Sequence, residues 1–484
     1  MPDRLVEDDE KASQPVVTDS FKEPRKFFLA DEGDEKDLTP LEIAARRMMD
    51  ILPAHLLHRL KMAVHQFCDD PTLNSNAVKL TIGNGCAGTD MMVVVCKALS
   101  DACRARFKFG LQSEHVFSCE HNPDKQHWIH DQFPELQKIF AEMADLKNTT
   151  AHNVVTGKKE VVPHARFFSA GFVCKILSGF NMKTRQKSPI QNKAGTITDI
   201  TYEDSKSYLK KTRPLFFLLE NVPNIEKIDV EVELSVSDAD FICSDLGDAG
   251  FTVVYYTVNA QQHGSMVVRN RTYFFGYDGM YDRGMLHARI TKVLDSLHIE
   301  SLPKELFIAV GPEQLKALTA LTSHQSDGGH RPASRSNEGR DDLKYKDDHA
   351  AAYEQENIQW PPNLAEHGQK YVDAVRTCTD REKEVTFLLI YKLKKFLDVP
   401  NATCVKGYAD INQSLGFIVS SFREDEVNVL MKEHMRTITG QTKYFDFEEL
   451  RLLSGIELLG LMGWPVGKTK GPSLEELHSV IYML

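Results

Sequence analysis

From Ala77 onward the chain repeats one rhythm: an apolar strand, a turn, a helical stretch. Val78-Lys-Leu-Thr-Ile82 reads as a strand, and Thr89 to Leu99 as the helix after it. Val116-Phe-Ser-Cys119 is the next strand, followed by an aromatic helical stretch from Pro123 to Asp131. Residues 166–170, 214–219, 252–258 and 272–276 supply further strands. Strands that alternate with helices bury their apolar faces in a mostly parallel sheet covered on both sides. The predicted fold class is therefore α/β, doubly wound and Rossmann-like. Such sheets bind ligands just outside the carboxyl ends of their strands.

Two of those strand ends carry reactive side chains. Arg166-Phe-Phe-Ser-Ala-Gly171 leads through Phe172 and Val173 to Cys174 at the mouth of a loop. Pro214-Leu-Phe-Phe-Leu-Leu219 ends in Glu220-Asn221-Val222. A cysteine and a carboxyl group delivered to one sheet edge make a thiolate nucleophile with an acid–base partner. Taken alone, Cys174 also reads as a buried, inert cysteine. Asn221 can brace the loop, since an amide hydrogen-bonds backbone on either side. Arg269 and Arg271 alternate on one strand and so face the same side, where a cation would lower the pKa of Cys174. Solvated arginines are the plainer alternative.

The loop from Ser178 to Thr198 carries Lys183, Arg185, Lys187 and Lys193, with no acid before Asp199. That local basic patch suits contact with phosphates, or is merely an exposed loop. Upstream, Gly83, Gly85 and Gly88 form a glycine-rich turn after the first strand, where backbone can approach a ligand closely. The next strand ends at Glu120, placed to accept hydrogen bonds from both hydroxyls of a ribose, or else a solvated loop residue.

In order, these runs resemble the cytosine-5 DNA methyltransferase family. The resemblance rests on Gly171-Phe-x-Cys174-x-x-x-Ser178, Leu-Leu219-Glu220-Asn221-Val222 and Arg269-Asn270-Arg271 before Thr-Tyr-Phe-Phe-Gly276. It continues in Arg451-Leu-Leu-Ser-Gly-Ile-Glu457 before Gly463-Trp464-Pro465, and in the loop Gly83-Asn-Gly-Cys86-Ala-Gly88. It implies a Rossmann-like methyltransferase sheet with a smaller inserted target-recognition domain. It implies S-adenosyl-L-methionine as cofactor, held by Gly83, Gly85, Cys86, Gly88, Glu120, Asp145 and Ser473. Asp145 would meet the adenine amino group. The incomplete G-x-G-x-x-G pattern fits a ligand without a diphosphate.

The implied catalytic group is Cys174, Glu220, Asn221, Arg269 and Arg271. By that resemblance Cys174 would attack carbon 6 of a flipped cytosine, Glu220 would assist at N3, and Arg271 would lie near the base's O2. Ser178, Lys183, Arg185, Lys187 and Lys193 would contact nucleic acid. The chain departs from the family at Val173 (proline), Lys175 (glutamine), Val267 (glutamine), Pro472 (asparagine), Gly83 (phenylalanine) and Ala87 (glycine).

The bulk properties set limits. Length of 484 residues allows two or three domains, and 42% hydrophobic residues supply ample core. A formal charge of −11 confines any nucleic-acid contact to a local basic surface. Residues 1–40 hold 12 acidic and 6 basic side chains and are expected to be a disordered acidic segment, a possible contact for partner proteins. The nine cysteines stand singly with no CxxC pair, which predicts a reducing compartment and no metal. No signal peptide and no membrane span are expected. The expected location is nuclear in a eukaryote and otherwise cytoplasmic.

The expected organisation is a catalytic domain over 41–276, an inserted domain over 277–445 with a disordered loop at 323–350, and a return over 446–484. Leu41 to Phe67 reads as helix, and so does Thr386 to Leu397 with basic Lys392, Lys394 and Lys395. Double-stranded DNA is the expected substrate. The alternatives are the same chemistry on transfer RNA, an inactive regulatory homologue, or another S-adenosylmethionine-dependent transferase.

Overall fold

The computed structural model describes residues 38–52, 77–107, 110–177, 188–228, 236–279, 282–302, 342–376, 380–399, 408–411, 435–436, 444–453 and 455–464, with Cys378 and Ala402. The main sheet is built from β1 (Ala77–Gly85), β2 (Gly110–Cys119), β3 (Ile139–Phe140), β4 (Thr150–Asn153), β5 (Lys158–Val161), β6 (Phe167–Gly171), β7 (Phe216–Asn221) and β8 (Phe251–Asn259). After the short β9 (Val267–Val268), β10 (Asn270–Asp278) completes it. The order of the nine strands is β5-β4-β3-β2-β1-β6-β7-β10-β8. The central run β3-β2-β1-β6-β7 is parallel, and β10 lies antiparallel between β7 and β8. The chain walks outward from β1 to β2 and β3, then resumes on the other side at β6. That reversal opens a crevice at the carboxyl ends of β1 and β6.

Both faces are covered, as the sequence rhythm requires. Along β6 and β7 neighbouring phenylalanines point to opposite sides. Phe168 and Phe217 join Tyr202, Tyr208, Ile242 and Leu246 of the helices Ile197–Thr212 and Asp238–Asp248. Phe167 and Phe216 join Val93, Cys96, Trp128 and Ile129 of the helices Met91–Phe107 and Pro123–Gln132. The helix Ile197–Thr212 begins at a capping box, in which Thr196 and Asp199 bind each other's backbone N–H.

Gly83 and Gly85 lie within β1 rather than in the turn expected for them. A Cβ on Gly83 would sit 2.2 Å from the Phe117 ring, and one on Gly85 2.7 Å from the Met143 sulfur. The Phe117 ring of β2 excludes a side chain at Gly83, whereas at Gly85 the end of Met143 and the Phe168 ring would have to shift. Only Cys86, Ala87 and Gly88 remain in the loop proper.

The first helix is Pro40–Ile51, started by a Thr39–Glu42 capping box; the rest of the expected 41–67 helix falls outside the described residues. Residues 342–350, expected in a disordered loop, begin the helix Asp342–Gln355. His349 is buried there against Glu384, and Tyr353 donates to the Glu384 carbonyl, so tertiary contact overrides the polar local sequence. Residues beyond 277 also touch the first sheet. The helix Arg283–Ser296 leans on β8, with His287 stacked on Tyr256 at 4.8 Å. Ile299 and Leu302 then donate backbone N–H groups to Gln262 and Gly264.

A second core gathers Tyr353, Tyr371, Phe387, Leu388, Phe445 and Phe447 around the helix Asp380–Phe396. Lys392 and Lys394 of that helix are buried, so its exposed face is less basic than its sequence. The chain then returns to the first core: Leu459 and Trp464 pack with Trp128 and Ile82. Arg451 donates twice to the buried Glu457 carboxylate, at 2.9 and 2.7 Å. Glu457→Ala leaves that guanidinium unpaired and is expected to cost about 2–3 kcal/mol, measured by urea unfolding.

Candidate active site

The parallel register sets Gly171 of β6 beside Glu220 of β7, and the antiparallel register sets Tyr273 of β10 beside Glu220 on the other side. Gly171 lacks a side chain where one would stand 3.2 Å from Glu220 Oε2. The Glu220 carboxylate pairs with Arg271 Nε at 2.8 Å. Three residues beyond Gly171, Cys174 stands half-buried. Glu220, Arg271 and Arg269 all act on its thiol, so the four charged and nucleophilic groups form one cluster. Asn221 is fully buried and spans the two strand ends, donating to the Phe172 carbonyl at 3.0 Å and accepting from Val222 N–H.

The electrostatics differ from the simple expectation for a cysteine near arginines. Burial pushes the Cys174 thiol up, Glu220 pushes it further, and Arg271 and Arg269 only partly oppose them. Burial and the neighbouring Arg271 lower Arg269. Tyr273, which motif reading overlooked, is held protonated by burial and by Glu220.

The second half of the site lies at the ends of β1, β2 and β3. Glu120 accepts from Gly88 N–H at 2.7 Å and from Asn122 N–H at 2.9 Å. Asp145 sits on the short helix Met143–Lys147 after β3. Burial pushes the Cys86 thiol up to about 12, with help from Glu120 and Asp204. Glu120, Glu142 and Asp145 act together on Cys119, and Asp204 is raised by burial, with Lys147 opposing Glu142, Glu203 and Asp145, so carboxylates outnumber the one lysine at this end of the sheet. Gly88 has a φ of 59°, and nothing lies within 4 Å of where its Cβ would be. Lys193 is exposed, whereas Ser178, Lys183, Arg185, Lys187 and Ser473 lie outside the described residues.

Beneath the loop lies a buried polar network. Asp90 accepts from Asn84 Nδ2 at 2.7 Å and from the Ser118 hydroxyl; Ser169 in turn donates to Asn84 Oδ1. One carboxyl group thus fastens the ends of β1, β2 and β6. An aspartate before an apolar helix reads in sequence only as a cap.

Burial pushes Asp90 up to about 7, against the hydrogen bonds from Ser118 and Asn84. A raised folded pKa means that the folded state holds the proton more tightly. This contribution is complete below the unfolded value of about 3.9 and is lost as pH rises through the folded one. Relative to Asp90→Asn, the natural protein is expected to lose stability from pH 4 to 7, as read by urea unfolding across that range.

A doubly wound sheet with a cysteine and a glutamate at adjoining strand ends has the architecture of a Rossmann-like methyltransferase. Residues 107–466 match the family model of the C-5 cytosine-specific DNA methylases, and the chain belongs to that family. Over 194 residues it is 27% identical to the DNA (cytosine-5-)-methyltransferase DMT5 of Cryptococcus neoformans var. grubii, a match covering 38% of this chain and 8% of that protein. Among solved structures it resembles S. pombe Dnmt2 methyltransferase at 13% identity and a TM-score of 0.32, over 51% of this chain and 66% of that one. It also resembles a prophage-encoded protein of E. coli described as a DNA modification methyltransferase, at 17% identity and a TM-score of 0.27, over 41% and 47% of the two chains. Among the described residues no helix is long and apolar enough to cross a membrane.

Proposed function

We propose that the protein methylates carbon 5 of cytosine in double-stranded DNA, with S-adenosylmethionine as donor and Cys174 as covalent nucleophile. The observation that carries this reading is the cluster at the β6 and β7 ends: Cys174 beside a Glu220–Arg271 pair held at 2.8 Å. The Cys174 thiolate adds to carbon 6 while Glu220 delivers a proton to N3, and the electron pair gained by the ring makes carbon 5 nucleophilic. After methylation Glu220 takes back the N3 proton, water takes the carbon 5 proton, and the electron pair of that C–H bond re-forms the ring double bond as the thiolate leaves. Arg271 holds the base's O2 and, with Arg269, stabilises the negative sulfur.

The end of the sheet near β1 to β3 suits this donor. The carboxylates Glu120, Asp145, Glu142 and Asp204, only partly offset by Lys147, favour a cationic ligand and oppose a diphosphate. When bound there, S-adenosylmethionine supplies an electrophilic methyl group on its sulfonium. The open position above Gly88 lets backbone approach it, and Glu120 and Asp145 would hold its ribose and adenine. The base must leave the helix stack to reach Cys174, with Lys193 and the basic run Lys183, Arg185 and Lys187 available for phosphates. The segment between the two returns of the chain to the first core would read the target. Incubation with labelled cofactor and duplex DNA, transfer RNA or neither tests the substrate; incorporation into duplex DNA is expected.

A second reading, a regulator that keeps the fold without turnover, is favoured by one observation: the thiol is raised rather than lowered. Methyl transfer abolished by Cys174→Ser would dismiss it.

A further inference from the structure

Three consecutive residues leading to the thiol are each tied at the backbone. Asn221 holds the Phe172 carbonyl, Leu177 N–H donates to the Cys174 carbonyl, and Val173 N–H donates to Thr201 Oγ1 at 3.1 Å. The third tie comes from outside the strand-end cluster. Thr201 lies in the first turns of the helix Ile197–Thr212 and is 8% exposed. Its own hydroxyl proton goes to the Ile197 carbonyl at 2.8 Å, which leaves a lone pair aimed at Val173. The same helix backs Phe172 with the Tyr202 ring, 5.8 Å away.

An amide N–H next to a nucleophile is a liability. Left without a partner in a half-buried loop it is costly, and the loop can relieve that cost by turning outward. A proline at this place would have no N–H and a fixed φ. This chain has valine, with a free φ and a donor to satisfy.

We infer that Thr201 is a positioning residue for Cys174: its hydroxyl oxygen accepts the Val173 N–H and so fixes the backbone that aims the thiol at the base. The inference rests on Cys174 being the nucleophile, and its test includes a readout that needs no substrate. Thr201→Val keeps the shape and removes the acceptor. Thr201→Ser keeps the oxygen. Val173→Pro combined with Thr201→Val removes the donor as well and restores a fixed φ.

Two rates are measured for each: covalent trapping on duplex DNA carrying 5-fluorocytosine, and iodoacetamide alkylation of Cys174 mapped by mass spectrometry. Thr201→Val should trap about tenfold more slowly, the worth of one hydrogen bond, and alkylate about threefold faster as the loop loosens. Thr201→Ser and the double variant should return both rates to within about twofold of the natural protein.

A Thr201→Val protein that melts earlier but keeps both rates would show a merely structural threonine and overturn the inference. So would a double variant as impaired as the single one. If the natural protein does not trap at all, the nucleophile reading fails, and the alkylation series alone still decides whether Thr201 governs the thiol.

Discussion

Cys174→Ser is expected to abolish methyl transfer, with a fall of at least about 10³-fold, because a serine hydroxyl ionises far less readily than a thiol and cannot replace a thiolate. Cofactor binding should be unchanged. The groups expected to hold it, Glu120, Asp145 and the Gly88 loop, lie at the ends of β1 to β3, whereas the cysteine follows β6. The fold should survive too, since the thiol is half-buried and the change removes no packed side chain. Label incorporation into duplex DNA and cofactor titration by calorimetry read the two halves separately. A serine variant that still methylates would remove the covalent route.

Glu220→Gln is expected to move two readouts in opposite directions. Turnover should fall about 10²-fold or more, because an amide cannot deliver a proton to N3. The thiol should become easier to ionise. Its pKa is raised by burial and then by the Glu220 charge, and opposed by Arg271 and Arg269. Neutralising Glu220 removes the second raising cause and frees Arg271 from its partner at 2.8 Å. The pH profile of Cys174 alkylation should therefore shift down while methylation drops. A profile that stays where it is would mean that Glu220 does not bear on the thiol.

The sheet and its strand ends are legible in the sequence because parallel buried strands are apolar runs, and Glu120, Cys174 and Glu220 each stand at or just past the end of such a run. Phe167 and Phe168, and Phe216 and Phe217, fill both faces without alternation, so the strands stand out from the turns. The glycines mislead for the same reason they are needed. Gly83 and Gly85 read as a cofactor turn, but the Phe117 ring and Met143 sulfur that crowd these positions come from elsewhere in the chain. Asp90 and Thr201 are illegible because their roles depend on partners 28 residues distant, Ser118 and Val173 respectively. The packing of the helix Arg283–Ser296 on β8 is illegible because its own sequence gives no local sign of it. The turn from polar sequence to helix near Asp342 is hidden likewise, since His349 and Tyr353 find their partners at Glu384.

The most direct test is mass spectrometry of the protein incubated with S-adenosylmethionine and duplex DNA carrying 5-fluorocytosine. Fluorine at carbon 5 cannot leave as a proton does, so the enzyme should halt joined to the base. A denaturation-stable adduct on the peptide containing Cys174 is the predicted result. A protein that binds the cofactor and the duplex yet forms no adduct, or forms it through another cysteine, would contradict the account.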